Sequence, residues 1–227
     1  MPRCTYLVRR LSEKEKQGVK MYNKIEAIKK AFNDNLERFK MKYPDHKIVK
    51  LDIPPHIRAK TLAWAMQVAI SKKEEELYQE DPGMLISRFA VGILIEAVFE
   101  YYYNLQFVDW SIGNTKNFAY PDLKKAGYKL GLKGSSKPNM PLVPVQNEYN
   151  KDELCPQLIC IYDQDAEQIW VLGIASTDIL EKFSYTGFVK SNNVNTNIKT
   201  AFYGFSYLEP FKGLESLEPY RIVKENI

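Results

Sequence analysis

The spacing of apolar residues in the first part of the chain predicts a long amphipathic helix. Ser12 and Glu15 have the spacing of a capping box, so we expect this helix to begin here and to end near Pro44. Apolar side chains recur every three or four residues along one face: Tyr22, Ile25, Ile28, Phe32, Leu36 and Phe39. The opposite face is rich in lysine, which indicates either an ordinary solvated surface or a surface that lies on DNA.

The next apolar segments predict two more helices. After a connector, LDIPPH at residues 51–56, a second helix is expected from about Ile57 to Glu80. Its inward positions are expected to be Leu62, Met66, Ala69 and Leu77. A third helix, from about Met84 to Tyr103, is apolar on almost every side, which is typical of a helix buried against a sheet. Glu96 lies in the middle of this apolar helix and is therefore conspicuous.

Beyond residue 105 the apolar period shortens to that of β-strands. FVDWSI (107–112), NFAYPDL (117–123) and GYKLGLKG (127–134) are predicted to form a three-stranded meander. KKAG is expected to be the hairpin turn between the last two of these strands. The meander would then place NFAYPDL and GYKLGLKG side by side and antiparallel.

The strongest strand signals come later in the chain. PQLICIYD (156–163) and QIWVLGIAS (168–176) are apolar and β-branched, which predicts two buried central strands. A short helix, TDILEKF, is expected to be capped by Ser176 or Thr177. A polar loop or DNA-facing flap over 187–200 and a last strand, TAFYGFSYL, are predicted to follow.

This order of elements predicts an α/β fold with a helical N-terminal extension. Residues 1–83 are predicted to be the helical N-terminal region, and residues 84–227 the α/β core. The change of period within the second segment gives no sign of two independent folding units. We therefore expect one continuous structural domain.

Composition narrows the chemistry that this fold can carry. The chain has 227 residues and a formal net charge of +4, a mildly basic balance that permits a polyanionic partner without requiring one. Its only histidines are His46 and His56, which excludes a three-histidine metal site and disfavours Ser-His-Asp hydrolysis. Neither GxxxxGK[ST] nor GxGxxG occurs, so nucleotide-binding folds lose support. Carboxylates and lysines remain as the candidate catalytic groups.

The cysteines and the apolar segments indicate the cellular compartment of the protein. The three cysteines form no CxxC pair, and their odd number argues against a disulfide framework. The N-terminal residues lack the apolar core of a signal peptide. The longest apolar run, residues 89–99, contains a glutamate and is too short to span a bilayer. We therefore expect a cytoplasmic protein without a membrane partner.

Strand alternation brings a small set of polar residues together. In YKLGLK (128–133) the apolar side chains share one face, so Gly131 and Lys133 share the other. The predicted hairpin brings Asp122 close to Lys133, and Glu96 on the packed helix could point to the same spot. Hydrolysis of a phosphodiester needs acids that bind a divalent cation and a positive group near the developing charge. One aspartate, one further acid and one lysine meet that minimum.

This arrangement resembles the PD-(D/E)xK nuclease superfamily, which includes many type II restriction endonucleases, Holliday-junction resolvases and phage exonucleases. The matching features within about residues 85–180 are a G-x-x-x-E helix, a PD strand and a strand ending in x-x-K-G. The residues concerned are Gly92 and Glu96, Pro121 and Asp122, and Gly131 to Gly134. The resemblance implies a restriction-endonuclease-like fold, with a central mixed sheet of about five strands flanked by helices.

The resemblance also implies a role for each site residue, and at one position this chain departs from the motif. Asp122 and Glu96 would bind Mg²⁺, with Mn²⁺ as a substitute, and Lys133 would assist the attacking water or the transition state. Gly131 stands where the motif has Asp or Glu. Either another acid, with Glu96 as the first choice, replaces the missing one, or the site has lost its activity. An active chain would be a Mg²⁺-dependent deoxyribonuclease, either a phage or repair nuclease or a restriction-type homodimer on symmetric DNA.

Further polar residues are candidates for DNA contact, because hydroxyl, amide and ammonium groups bind phosphates and base edges. They are Ser135, Ser136, Gln157, Lys190, Asn192 and Asn193. Each site residue also has a purely structural interpretation. Asp122 would be a turn former, Lys133 a solvated strand end, and Glu96 an ion-pair partner.

Two other functions therefore stay open beside the nuclease. A catalytically inactive nuclease fold would act as a DNA-binding or protein-interaction module. If the resemblance is set aside, the chain is a soluble α/β domain with an interaction helix at residues 12–41.

Overall fold

The structure, a computed structural model, describes residues 48–74, 82–112, 121–136, 142–146, 155–185 and 198–223, with a few isolated positions before them. The isolated positions fall within the predicted first helix and are helical and exposed: Ala27, Lys30, Asn33, Asp34, Glu37, Arg38 and Met41. The capping box and the apolar stripe predicted for that helix lie outside the described residues.

Two long helices precede most of the strands, as the apolar spacing predicts. Helix α1 is Pro55–Glu74 and helix α2 is Pro82–Tyr103. The predicted inward side of α1 is wrong at Leu62 and Met66, which are each 48 % exposed, and is confirmed at Ala69, which is buried. The fourth predicted inward residue, Leu77, lies outside the described residues. The buried side consists of small or β-branched residues: Thr61, Ala65, Val68 and Ala69. These compact side chains let α1 pack closely against α2, which the longer Leu62 and Met66 would prevent.

The strands form two sheets. They are β1 (Val49–Asp52), β2 (Gly131–Ser136), β3 (Leu142–Gln146), β4 (Gln157–Asp163), β5 (Gln168–Ala175), β6 (Ser184–Tyr185), β7 (Ile198–Phe202) and β8 (Glu209–Pro210). The larger sheet has the order β1-β5-β4-β2, and β8 also pairs with β5. Strands β2 and β4 are parallel, and the other pairs in this sheet are antiparallel. The predicted mixed α/β architecture with a five-stranded sheet is therefore confirmed, and β2 lies at an edge of it.

The smaller sheet and a short helix cover the other side of the molecule. Its order is β3-β7-β6, with antiparallel pairs. Helix α3 is Thr177–Lys182, and the Ser176 hydroxyl caps it by accepting a hydrogen bond from Ile179 N, as the sequence predicts. The predicted last strand ends at Phe202, after which Phe205–Tyr207 form a 3₁₀ turn.

Both faces of the larger sheet are buried. On one face α2 contributes Ile95 and Phe99 to a cluster that includes Leu132 of β2. A second cluster contains Ile159 and Ile161 of β4 together with residues of α3 and the late strands. Successive residues of β4 belong to different clusters, as expected for a strand covered on both sides. Within the described part of the chain, no helix is both long enough and apolar enough to cross a membrane.

Strand β1 was not anticipated from the sequence. The strand begins two residues before the predicted connector LDIPPH and includes the first two residues of that connector. It pairs with β5 from Val49↔Val171 to Asp52↔Gln168. Only six residues separate Lys47 from Pro54, and the strand has four of them, so its alternation is too short to stand out. The sheet thus includes a strand from within residues 1–83.

The predicted meander is wrong where the structure describes it, and residues 117–120 of its predicted middle strand lie outside the described residues. Residues 105–112 contain no strand. Asp122–Ala126 form a 3₁₀ helix, where the prediction has the end of a strand and a hairpin turn. Gly127 ends this turn in the left-handed conformation, with φ of 89°. Proline before a short helix and glycine after it are start and stop signals that also fit a strand and a hairpin turn. Strand β2 consequently pairs in parallel with the distant β4 instead of antiparallel with its neighbour in sequence.

Candidate active site

A tight turn holds Asp122 beside the edge of the larger sheet. The 3₁₀ helix Asp122–Ala126 is closed by a hydrogen bond of 2.9 Å from Lys124 N to Pro121 O. The buried Leu123 donates from its backbone N to Leu130 O at 3.0 Å, which ties the turn to the residue before β2. The turn thus places the first side chain of the helix next to the start of β2.

Asp122 and Lys133 form a direct ion pair at this edge. Oδ2 of Asp122 accepts hydrogen bonds from Lys133 Nζ and from Leu132 N, both at 2.8 Å. Gly131 N bonds toward the β4 side, to Pro156 O at 2.9 Å, so the next N–H along β2 points to the open edge. The two side chains are 18 % and 26 % exposed, so the pair is largely shielded from solvent yet reachable. The structure brings these two predicted residues together, although by a different route from the predicted hairpin.

Glu96 reaches the same region because α2 packs closely on β2. The close approach occurs at Gly134, where an added Cβ would collide with the side chain of Ile95 and lie 2.9 Å from Cys160 O. Ile95 and Glu96 are neighbours on α2, so the absence of a side chain at position 134 brings the glutamate near the strand. Glycine is required here for packing, not for backbone conformation.

The charges of these residues act on one another. Burial, reinforced by the Asp122 carboxylate, raises the pKa of Glu96 from 4.5 to about 8, while Lys133 opposes the shift. Burial lowers the pKa of the Lys133 ammonium, but the carboxylates of Asp122 and Glu96 outweigh it, so its pKa is raised overall. At neutral pH and without a cation, Lys133 is therefore charged and Glu96 is largely protonated. A pair of acids that cannot both ionise readily is typical of functional sites.

The space beside Gly131, where the resemblance expects an acid, is filled by another residue. Gly131 pairs with Gln157 across the parallel strands, and a Cβ at Gly131 would overlap the Gln157 side-chain amide. Gln157 is fully buried, and its Nε2 donates to Cys155 O at 3.0 Å and to Cys155 Sγ at 3.2 Å. Its Oε1 has no hydrogen-bond partner among the described residues. The sequence suggested Gln157 as a possible DNA contact, but the structure places it beneath the vacant motif position.

The other predicted contacts are partly described. Ser135 and Ser136 end β2 and are half-buried, beyond Lys133 along the same strand. The remaining candidates, Lys190, Asn192 and Asn193, lie outside the described residues. Most of the predicted polar loop over 187–200 lies there too, and only its last residues are seen, in β7.

Two further acids support the site and were missed by the sequence analysis. Glu100, one helical turn after Glu96, accepts hydrogen bonds at 2.7 Å from the backbone N–H groups of Phe107 and Val108. Asp109 pairs with Lys125 of the Asp122 turn at 3.2 Å. The segment after α2 is therefore fastened at both ends. The spacing of Glu96 and Glu100 was a signal for this, but assigning 107–112 to a strand concealed it.

The donor set fits a hard divalent cation. Among the residues that the structure describes, no three histidine, cysteine or acidic side chains are arranged to hold a metal ion. The site offers the carboxylates of Asp122 and Glu96, and the amide oxygen of Gln157, for which the described part of the chain provides no partner. All three are oxygen donors, the kind that Mg²⁺ and Mn²⁺ prefer.

Comparison with known proteins finds no relative of this chain. No protein-family model, no curated protein and no solved structure matches this chain.

Proposed function

We propose that this chain is a Mg²⁺-dependent DNA endonuclease of the PD-(D/E)xK kind. The observation that carries the proposal is the Asp122–Lys133 ion pair at the edge of β2, with Glu96 close enough for Asp122 to raise its pKa. An acid, a second acid and a lysine meet here from three separate segments of the chain. A purely structural ion pair would need no second, electrostatically strained carboxylate beside it.

The restriction-endonuclease-like fold is part of the proposal. The five-stranded mixed sheet with helices packed on it is consistent with that architecture. The glutamate helix is α2, the PD dipeptide opens the turn beside β2, and the lysine lies within β2. These elements keep the chain order that the resemblance implies, even though the aspartate lies on a turn rather than a strand.

Lys133 would act as a fixed positive charge. Its raised pKa means that it carries a proton at neutral pH, so it cannot serve as the base that activates water. An ammonium group held by Asp122 is placed to stabilise negative charge on a phosphate that approaches the open edge of β2. Its partial exposure leaves it accessible to a nucleic acid backbone.

Asp122 and Glu96 would hold the divalent cation. Bound Mg²⁺ or Mn²⁺ supplies Lewis acidity and a water molecule of lowered pKa. Glu96 must lose its proton to serve as a ligand, and its pKa of about 8 is near enough to neutral for a cation to displace that proton. Asp122 would have to share the oxygen that now accepts from Lys133 and Leu132, or use its other one.

DNA is the proposed substrate, and the mode of assembly follows from the type of nuclease. The net charge of +4 is compatible with a phosphate backbone as partner. A restriction-type enzyme that cuts both strands of a symmetric site would act as a homodimer. A phage or repair nuclease would need no such symmetry.

Cleavage of supercoiled and linear DNA with Mg²⁺ or Mn²⁺ tests the proposal. Asp122→Ala and Lys133→Ala should each reduce cleavage by about 100-fold or more, as loss of a group that stabilises developing charge does. Arg58→Ala is the matched control, since Arg58 also pairs with an acid, Glu167 in the turn between β4 and β5, but lies outside the site. Absence of cleavage by the wild type, or equal cleavage by all four proteins, would contradict the proposed activity.

The second candidate function is a catalytically inactive nuclease fold that binds DNA or protein. The observation that favours it is the neutral Gln157 amide at the position of the motif acid. Such a protein would bind DNA in a salt-dependent manner without cutting it. Binding that weakens steeply between low and moderate salt, with no cleavage in either metal, would select this function.

A further inference from the structure

Gly131 and Gln157 form a complementary pair across the two parallel strands. They are register partners in β2 and β4, so their side-chain positions lie on the same face. The nearest atom to an ideal Cβ at Gly131 is Oε1 of Gln157, at less than a van der Waals distance. The amide oxygen of Gln157 therefore occupies the space into which the motif acid would project.

The orientation of this amide follows from its neighbours. Nε2 faces the backbone carbonyl of Cys155 at 3.0 Å, and a carbonyl can only accept. Exchanging the amide oxygen and nitrogen would set two acceptor oxygens against each other. Oε1 is therefore the amide atom that is buried without a hydrogen-bond partner among the described residues, and it is the atom nearest to an ideal Cβ at Gly131. A bound water molecule or ion is one explanation for a buried acceptor in that state.

The amide belongs to the same site as the ion pair. Lys133 pairs with Ile159 across β2 and β4, two residues after the pair of Gly131 and Gln157 and on the same face of the sheet. Lys133 in turn bonds to Asp122 at 2.8 Å. Gly131 and Lys133 project from the same face of β2, two residues apart. The orphaned oxygen and the lysine that bonds to Asp122 therefore lie on the same face of the sheet, at adjacent side-chain positions.

We propose that Gln157 Oε1 is a divalent-cation ligand that replaces the acid missing at position 131. This inference rests on the proposed function, because it supplies a third oxygen to the cation held by Asp122 and Glu96. A neutral donor in place of a carboxylate keeps the coordination while reducing the negative charge of the site by one. The site should therefore bind the cation more weakly than one with a full set of acids.

Titration of the full chain with Mn²⁺, followed by calorimetry and by the Mn²⁺ electron paramagnetic resonance signal, tests this ligand without relying on cleavage. Gln157→Met keeps the length of the side chain and removes its oxygen, and should weaken Mn²⁺ binding by about 10-fold or more. Gln157→Glu adds a charge and should tighten it by about 10-fold. Gln168→Met, in the neighbouring β5, is the matched control and should leave the affinity unchanged.

The outcomes separate this inference from the proposed function. Suppose that wild type and Gln157→Met bind Mn²⁺ equally well, whereas Asp122→Asn does not bind it. Gln157 is then not a ligand, although the proposed metal site is supported. If Gln157→Met fails to fold, as thermal melting with a chelator would show, Gln157→Glu decides: unchanged or weaker binding would overturn the inference. If wild type does not bind Mn²⁺, or binds it no better than Asp122→Asn does, both the proposed metal site and the role of Gln157 as its ligand are refuted.

Discussion

The side-chain amide of Gln157 fills the space that any side chain at position 131 would enter. The two residues face each other across the parallel strands β2 and β4, so the residue type at one position restricts the other. The glycine at position 131 and the buried glutamine at position 157 are therefore one structural feature. An acid at position 131 requires a smaller residue at position 157.

This coupling predicts the behaviour of a double-mutant cycle. Gly131→Ala should destabilise the protein by about 1–3 kcal/mol, because the new methyl group displaces a buried amide. In a Gln157→Ala background the same change should cost about 1 kcal/mol less, because the space is then free. Urea denaturation with a chelator measures each free energy of unfolding. Gly131→Ala combined with Gln168→Ala serves as the additive control, and additivity in the Gln157 cycle would contradict the steric account.

Removal of Lys133 predicts a change in the titration of Glu96. Lys133 lowers the pKa of Glu96, and burial and Asp122 raise it to about 8. Lys133→Met should therefore move the pKa of Glu96 above 8, and carboxyl NMR of the metal-free protein would record this. The variant should also lose about 1–3 kcal/mol of stability, since Asp122 keeps a half-buried carboxylate without its charged donor. A pKa of Glu96 that is unchanged or lower would show that the two groups are not in the same site.

The pH dependence of stability follows from the same carboxyl group. Glu96 has a pKa of about 8 when folded against an ordinary value of 4.5, so the folded chain binds more protons between those limits. The contribution of Glu96 to stability is fully present below about pH 4.5 and is lost as the pH rises through 8. Glu96→Gln should remove this loss and raise the free energy of unfolding at pH 8 by about 1–3 kcal/mol.

Denaturation curves of the chelated protein at several pH values measure this difference. Glu100→Gln is not a suitable control because Glu100 holds two backbone N–H groups. Glu181→Gln, at an exposed position of α3, serves instead as the control. Parallel profiles for wild type and Glu96→Gln would show that Glu96 titrates normally.

The sequence predicted the elements whose signals are local. Strands β4 and β5, the Ser176 cap and the two long helices are confirmed because apolar periodicity and capping depend on near neighbours. The prediction failed where one local signal fits two structures, as in the turn between Pro121 and Gly127. The pairing of Gly131 with Gln157 could not be predicted, because it depends on the parallel register of strands separated by a long connection.

Two glycines that flank the site should respond in opposite ways to alanine. At Gly134 the new Cβ would collide with Ile95 and crowd the Cys160 carbonyl, so Gly134→Ala should destabilise by about 1–3 kcal/mol. It should also push α2 away from β2 and lower the pKa of Glu96 toward its ordinary value. At Gly92, on the exposed side of α2, nothing lies within 4 Å of the new Cβ, and Gly92→Ala should stabilise by about 0.5–1 kcal/mol. Denaturation measures the stability of both variants, and carboxyl NMR measures the pKa of Glu96 in each. If Glu96 in Gly134→Ala has the same pKa as in wild type, the close approach of α2 to β2 does not position Glu96.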